Sequence, residues 1–216
     1  MTRQKEEADL FSRTLNSRNI TVFGVSYIET TPVYFDAFPS TDWIFFSSKR
    51  GVKHFFEQCK VDLKTVKFAA LSTATASAIE AQGHEVSFVG SGADTKAIGE
   101  QFVHTVGDKS VLFPIAKDAV RSVQKAFAID SPIYDLVVYS TEIRPRKTPY
   151  ADVVVFTSPS NVKGYLSARK WQEDQKAIAI GKTTQQALTQ QGIQASISWG
   201  YSELALADTV LNYFHH

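Results

Sequence analysis

Short apolar runs, each typical of a buried strand, alternate along the chain with stretches whose apolar residues recur at helical spacing. The predicted strands are 43–46, 68–71, 86–89, 111–113, 136–139, 153–156, 177–180 and 195–199. The predicted helices are 51–58, 74–81, 96–105, 118–127, 161–170, 184–190 and 202–214. Continuous apolar strands that alternate with helices indicate parallel sheets covered on both faces, so we predict an α/β fold.

The pattern repeats after about 110 residues. Residues 45–53 are echoed by 155–163 and residues 70–83 by 179–192, with matching offsets (156 − 46 = 110 and 184 − 75 = 109). A repeat of this length is the size of a small domain, so we predict two similar lobes. Two lobes that face each other leave a cleft, and clefts are favoured ligand sites.

A further echo predicts how the chain passes between the lobes. Residues 25–30 resemble 137–142, so that Tyr27 corresponds to Tyr139 (139 − 27 = 112), and each segment begins a polar passage that contains proline. We interpret these passages as two chain crossings. One lobe is then discontinuous, built from 1–30 plus 145–216, and the other is an insertion at 34–138. The linkers between them are about 31–33 and 139–144.

Composition excludes several classes of protein. An apolar content of 44% supports real cores, and a net charge of +1 gives no global basic field for nucleic acid. The single Cys59 excludes an internal disulfide and a cysteine-rich zinc site. Residues 1–9 are polar, unlike a signal peptide, and no apolar run approaches the ~18 residues of a membrane helix. We therefore expect a cytoplasmic protein without nucleic-acid or membrane partners.

Hydroxyl-bearing turns follow the predicted strands in both copies of the repeat. Ligands of parallel sheets bind at the carboxyl ends of strands, and helix N-termini suit anions. Each turn alone is adequately explained as a helix cap, but four turns in two copies favour a cleft lined with anion donors. Lys49, Arg50 and Lys182 lie inside these turns. The hydroxyls are those of Ser47, Ser48, Thr73, Thr75, Thr157, Ser158, Thr183 and Thr184.

The sequence carries no strong catalytic or cofactor signature. The histidines lack metal-ligand spacing within one helix, and neither a Gly-x-Ser-x-Gly nor a Walker sequence occurs. Residues 90–95 partly mimic a Gly-x-Gly-x-x-Gly loop but lack the third glycine, which argues against dinucleotide binding. We therefore predict no metal and no cofactor.

The paired turns resemble those of the uroporphyrinogen-III synthase family. The stretch 156–160 is similar to the family's Phe-Thr-Ser-Pro-Ser, and 179–184 with Gly192 is similar to its second diagnostic stretch. Residues 138–141 resemble the linker strand that carries the family tyrosine, and Thr2-Arg3 resembles the Thr-Arg after the family's first strand. Two features depart from the family: Ser72 stands where glycine is usual, and the family has an apolar strand before Thr-Arg.

The resemblance implies a fold and a reaction. The expected architecture is two flavodoxin-like (HemD-like) lobes, each a parallel sheet flanked by helices, joined by two extended linkers. The expected activity is that of a lyase of haem biosynthesis. It converts hydroxymethylbilane, a linear tetrapyrrole with eight carboxylates, to uroporphyrinogen III by losing water, inverting the terminal pyrrole ring and closing the macrocycle. Closure without enzyme gives the uninverted isomer. No cofactor is implied, and we expect a monomer.

The same resemblance implies the site residues. Tyr139 is the expected catalytic residue, with its phenol donating a proton to the departing hydroxyl or positioning it. The expected substrate-binding residues are Arg3, Ser47, Arg50, Thr75, Ser158 and Thr184. Two alternatives remain open: a non-catalytic two-lobed protein that binds a small anion, and a nucleotide-dependent enzyme built on Rossmann-like lobes.

Overall fold

The computed structural model describes residues 1–4, 8–92 and 94–214, and these divide into two compact units. Unit 1 comprises Met1–Glu29 and Glu142–His216, and unit 2 comprises Thr30–Thr141. The strands are β1 Ile28–Pro32, β2 Trp43–Phe46, β3 Lys67–Ala70, β4 Val86–Val89, β5 Val111–Ala116, β6 Ile133–Ile143, β7 Val153–Phe156, β8 Lys176–Ala179 and β9 Ala195–Ile197. The α-helices are α1 Asp9–Asn16, α2 Lys49–Phe56, α3 Thr73–Glu80, α4 Thr95–Val106, α5 Pro159–Ala168, α6 Lys182–Thr189 and α7 Glu203–Leu211.

Unit 2 is built on a six-stranded sheet with strand order β1-β6-β5-β2-β3-β4. The pairs β2–β3, β2–β5, β3–β4 and β5–β6 are parallel. Side chains of β2 alternate between two cores because successive residues of a strand point to opposite faces. Ile44 and Phe46 pack in one core with Phe55 of α2, and Phe45 packs in the other with Phe102 of α4. The sheet is therefore covered by helices on both faces.

A bulge in the middle of β6 decides which face of the sheet Tyr139 occupies. Ile115 of β5 pairs with Val137, but the next residue, Ala116, pairs with Tyr139, so Val138 is an extra residue. Val137 packs in the core on the α4 face, whereas Val138 and Tyr139 both pack in the core on the α2 face. The bulge thus places Tyr139 on the α2 face, where regular alternation would turn it away.

Unit 1 contains a parallel sheet of order β7-β8-β9, and the start of the chain extends its pairing. The amide of Thr2 donates to the carbonyl of Val155 at 2.8 Å, and the amide of Val25 donates to the carbonyl of Met1 at 3.1 Å. Val155 packs with Phe11 of α1 on one face, while Phe156 packs with Tyr165 of α5 on the other. This sheet is also covered on both faces.

The predicted α/β fold is confirmed, but the predicted helix at 118–127 is wrong. Only Gln124–Ala126 of that stretch forms a helical turn, of the 3-10 type. Arg121 has a φ of +57°, in the left-handed region that interrupts a right-handed helix. Its guanidinium pairs with Asp135 of β6, and Val123, two residues on, is buried in the core on the α4 face. In the described ranges, no helix combines the length and apolar character needed to cross a membrane.

Candidate functional site

A pocket of about 220 Å³ opens at the carboxyl ends of the central strands of unit 2. The end of a parallel sheet at which strands finish is where ligands of such folds bind. Hydroxyl groups, a guanidinium and a carboxamide line the pocket together with apolar side chains. The lining residues are Ser47, Ser48, Leu71, Thr95, Pro114, Ile115, Ala116, Ala119, Val120, Arg121, Ser122, Val123, Gln124 and Tyr139.

Tyr139 brings a phenol to this pocket on a fixed ring. Its side chain is buried, and its backbone carbonyl accepts a hydrogen bond of 2.9 Å from the amide of Lys117. The phenol oxygen lies 3.3 Å from Oγ of Ser48. That Oγ also accepts from the amide of Gly51 at 3.1 Å, which caps α2. The phenol therefore lies beside a helix N-terminus and is held there by a single long hydrogen bond.

Ser47, Arg50 and Tyr139 come together around the start of α2. Ser47 is exposed at the end of β2 and lines the pocket with Tyr139, and Arg50 is an exposed residue in the first turn of α2. A hydroxyl and a guanidinium beside a helix N-terminus suit a carboxylate, because the free amides there carry partial positive charge.

Thr75 lies in the first turn of α3, after the neighbouring strand β3, but its polar groups are already partnered. Its hydroxyl lies 3.1 Å from Oγ of Ser72, and its amide donates to the same oxygen at 3.4 Å. Thr75 itself is buried. The Ser72 hydroxyl thus caps α3 in the position that an anion would take.

In unit 1, Ser158 and Thr184 follow the adjacent strands β7 and β8, and Arg3 follows the segment that pairs with β7. Arg3 follows Thr2, whose hydroxyl accepts from the amide of Thr157 at 3.0 Å, just beyond the end of β7. Ser158 caps α5, with its Oγ accepting from the amide of Asn161 at 3.2 Å. Thr184 is buried in the first turn of α6, after β8. The structure therefore brings these three together at one edge of the sheet.

The helix α6 differs from its counterpart α3 because its N-cap is Gly181, which has no side chain to cap the helix. Gly181 offers no side-chain acceptor to the first-turn amides of α6, of which that of Thr184 donates to the Gly181 carbonyl at 3.1 Å, whereas the Ser72 hydroxyl caps α3. A Cβ at position 181 would lie 2.9 Å from Cε1 of Tyr201, so the phenol of Tyr201 lies directly over this helix end.

Asn161 is a residue of this region that the sequence reasoning missed. It is buried, its Nδ2 donates to Oγ of Ser158 at 3.0 Å, and its Oδ1 accepts from the amide of Tyr27 at 2.8 Å. Asn161 thus ties the cap of α5 to the main chain that leads into β1. The sequence signal was its position three residues after a capping serine.

A larger cavity of about 680 Å³ in unit 1 contains none of the predicted site residues. It runs along the first half of β7, where mainly apolar side chains such as Leu15, Val153 and Leu211 line it. The Met1 amine borders it and donates to the carbonyl of Phe23 at 2.7 Å, and loss of hydration lowers the pKa of that amine to about 5. We place the candidate site at the strand ends, because the polar groups converge there.

No group of three or more His, Cys, Asp or Glu side chains in the described ranges is arranged to hold a metal ion. The polar groups found at the strand ends are hydroxyls, backbone amides, cationic side chains and the Tyr139 phenol. This donor set suits binding of several carboxylates and transfer of one proton.

Comparison with known proteins gives a family and two related structures. The family model for uroporphyrinogen-III synthase HemD matches residues 9–207. The uroporphyrinogen-III synthetase of Helicobacter pylori is 24% identical, covers 88% of this chain and 92% of its own, and superposes with a TM-score of 0.73. A mutant uroporphyrinogen III synthase of Thermus thermophilus is 14% identical over 98% of this chain and 96% of its own, with a TM-score of 0.61.

At these identities the two structures show the shared fold, and a search of curated proteins gives no significant match. The family model, in contrast, spans most of the chain, including both units. The chain therefore belongs to the uroporphyrinogen-III synthase family.

Proposed function

We propose that this chain converts hydroxymethylbilane to uroporphyrinogen III and that Tyr139 supplies the proton to the departing hydroxyl. The family makes the chain a cyclising lyase of tetrapyrrole synthesis. The observation that carries the role of Tyr139 is its position, with a buried ring and a phenol at a polar pocket at the strand ends. The comparisons give no support to the alternative of a non-catalytic small-anion binder.

The surroundings of the phenol support proton donation. A hydroxyl is a poor leaving group, and it departs more easily as water when a neighbouring acid protonates it. The phenol–Ser48 distance of 3.3 Å is long for O–H···O, so this hydrogen bond is readily exchanged for one to the substrate. Catalytic hydrogen bonds are often long without substrate and shorten when it binds.

Substrate binding needs many donors because the bilane carries eight carboxylates, as the family resemblance implies. We propose that Arg3, Ser158 and Thr184 of unit 1 bind carboxylate arms, with the open N-terminus of α6 beside them. In unit 2, Ser47, Arg50 and Thr75 take this role at the starts of α2 and α3. Donors of this kind bind anions without a large net positive charge, which agrees with the net charge of +1.

Replacing Tyr139 by Phe tests the proposal. The substitution keeps the ring and removes one hydrogen bond of 3.3 Å, so we expect the unfolding free energy to fall by no more than about 1 kcal/mol. Loss of a general acid lowers turnover by about 100- to 10,000-fold. Hydroxymethylbilane is incubated with each variant, and the ratio of isomer III to isomer I is measured. We expect isomer I to dominate with the variant.

The matched control is Tyr134→Phe, the same substitution in the same strand at an exposed position outside the pocket. It should keep the wild-type rate and yield of isomer III. A Tyr139→Phe variant with wild-type rate and isomer ratio would remove the phenol from the mechanism. Accumulation of isomer I with the wild-type chain would favour the anion-binding alternative instead.

We also propose that the chain acts as a monomer in the cytoplasm. The single cysteine of the chain supports the compartment, because it is typical of proteins that are not built on disulfides. The family resemblance supports the monomer. Sedimentation equilibrium at assay concentration tests the monomer, which would be excluded by a mass of twice 24.0 kDa.

A further inference from the structure

His54 is a buried imidazole in contact with both β1 and β6. Its Nε2 lies 2.9 Å from the hydroxyl of Thr30 in β1. Its ring stacks on the ring of Tyr139 in β6, with centroids 5.3 Å apart and an interplanar angle of 24°. The side chain is almost fully buried, with 4% of its surface exposed. Because His54 belongs to α2, it joins that helix to the face of the ring that bears the proposed proton donor.

Comparison of the two copies of the repeat indicates that the fold does not require a histidine at the position of His54. The offset of 110 residues places Gly164 of α5 at the position of His54 (54 + 110 = 164), and Tyr27 corresponds to Tyr139. In unit 1 the helix packs directly on the main chain of Tyr27, since a Cβ at Gly164 would lie 2.6 Å from the Tyr27 carbonyl oxygen. The same helix position therefore contacts the corresponding tyrosine in both units, yet only unit 2 has an aromatic side chain there.

The surroundings of His54 favour its neutral form. Burial lowers the pKa of the imidazole, and this effect outweighs the opposing influence of Glu57. Among the described residues Nδ1 has no hydrogen-bond partner, although Oε2 of Glu57 lies 3.4 Å away. A proton on Nδ1 faces the Glu57 carboxylate and leaves Nε2 to accept from the Thr30 hydroxyl, whereas a proton on Nε2 is donated to Thr30, so the neutral ring keeps its contact with Thr30 in either tautomer. The neutral imidazole then presents a flat ring face, fixed in position, against which the Tyr139 ring packs.

We propose that His54 is a positioning residue for Tyr139, holding the phenol ring by stacking while Thr30 fixes the imidazole. The inference rests on the proposed role of Tyr139 in proton donation. The long hydrogen bond to Ser48 is weak on its own, so the ring face supplies the second point of support. Without the imidazole, the phenol gains freedom to tilt into the space that is left. Small misplacement of a catalytic group is enough to lower turnover markedly.

The first test compares His54→Ala with His54→Phe. We expect His54→Ala to lower kcat by about 100-fold, as for misplacement of about 1 Å, while KM stays near the wild-type value. His54→Phe restores a flat ring, so we expect it to recover most of the lost kcat. Thr30→Val removes the partner of the imidazole with little change of shape and should lower kcat by less than His54→Ala.

His84 provides the matched control. It is another histidine of unit 2, stacked on Phe56 with centroids 5.0 Å apart and tilted against Phe68 at 4.6 Å. His84→Ala also removes an imidazole from an aromatic cluster, so it reports the general cost to packing. We expect it to keep the wild-type kcat once variants are compared well below their melting temperatures.

A double-variant cycle separates positioning through Tyr139 from other effects. In a Tyr139→Phe background, His54→Ala should lower kcat no further, because the group that it positions is gone. The proposal is overturned if His54→Ala keeps kcat within twofold of wild type, or if it lowers kcat equally in both backgrounds. If Tyr139→Phe alone has wild-type turnover, the proposed function of the phenol fails and the positioning role fails with it. If Tyr139→Phe is impaired and His54→Ala is not, only the positioning role fails.

Discussion

Replacing Gly164 by Ala tests how closely α5 packs on the main chain at Tyr27. The new Cβ would lie 2.6 Å from the Tyr27 carbonyl oxygen and 2.7 Å from its Cβ. Ordinary contacts begin at 3.4 Å, so the overlap is 0.8 Å (3.4 − 2.6 = 0.8). Neither atom can move away by a change of rotamer. The helix or the strand segment has to shift.

The cost follows from what holds Tyr27 in place. Its amide donates to Oδ1 of Asn161 at 2.8 Å, and its carbonyl accepts from the amide of Arg144 at 2.8 Å. Overpacking costs about 1–3 kcal/mol, and loss of a hydrogen bond costs about 1 kcal/mol. Alanine gains about 1 kcal/mol over glycine within a helix. We therefore expect a net loss of about 1–3 kcal/mol in the free energy of unfolding.

Urea unfolding followed by far-UV circular dichroism and by tryptophan fluorescence measures the effect. Trp171 packs in the same core of unit 1 as Tyr165 and reports this unit. Gly51→Ala and Gly99→Ala are the controls, since both glycines lie in helices and the nearest contacts of a new Cβ would be 3.1 and 3.0 Å. They should destabilise less than Gly164→Ala. A Gly164→Ala variant that unfolds at the wild-type urea concentration would refute the reasoning.

Two further predictions concern the cap of α3 and the charge of His54. Ser72→Gly should lower the unfolding free energy by only a few tenths of a kcal/mol, because the amide of Thr75 keeps its bond of 3.0 Å to the backbone carbonyl of residue 72. It should lower KM because the Thr75 hydroxyl becomes free for a carboxylate. An unchanged KM would show that the Ser72 hydroxyl does not compete with substrate. Burial lowers the pKa of His54. The neighbouring Glu57 opposes this shift, whereas Lys53 and Arg50 reinforce it. The unfolded chain therefore binds the proton more tightly, and the unfolding free energy should fall as the pH decreases below the ordinary pKa of about 6.5. In His54→Phe the unfolding free energy should depend less on pH in this range. The same dependence in both proteins would contradict a lowered pKa of His54.

The alternation of apolar runs and helical spacing was sufficient to predict the fold class. Strands such as β2 and β7 are short and apolar throughout, and each is followed by a serine that caps the next helix. These signals are local, so the sequence alone reveals them. A helix is wrongly predicted for 118–127 because tertiary packing decides this stretch: Val123 is buried in the core on the α4 face, and Ala126 lies against Gly99 of α4.

The candidate site was only partly predictable for a related physical reason. Serine and threonine at strand ends are visible in the sequence, but whether such a hydroxyl is free depends on its neighbours. The hydroxyl of Ser72 caps α3, whereas Gly181 leaves α6 open. Burial of His54 against Tyr139 depends on the register of β6, which no local pattern reveals. Comparing the two copies of the repeat does give a signal, since histidine stands where the other copy has glycine.

The bulge in β6 accommodates one extra residue without changing the face of the sheet that Tyr139 occupies. Val138 is the extra residue of the strand, and its apolar side chain makes no polar contact. Without Val138, Tyr139 would follow Val137 directly, and even pleating would still place the phenol on the α2 face. A relative that lacks one residue at this point of β6, and the bulge with it, therefore keeps its tyrosine on the same face of the sheet, so such a gap is not a sign of lost activity.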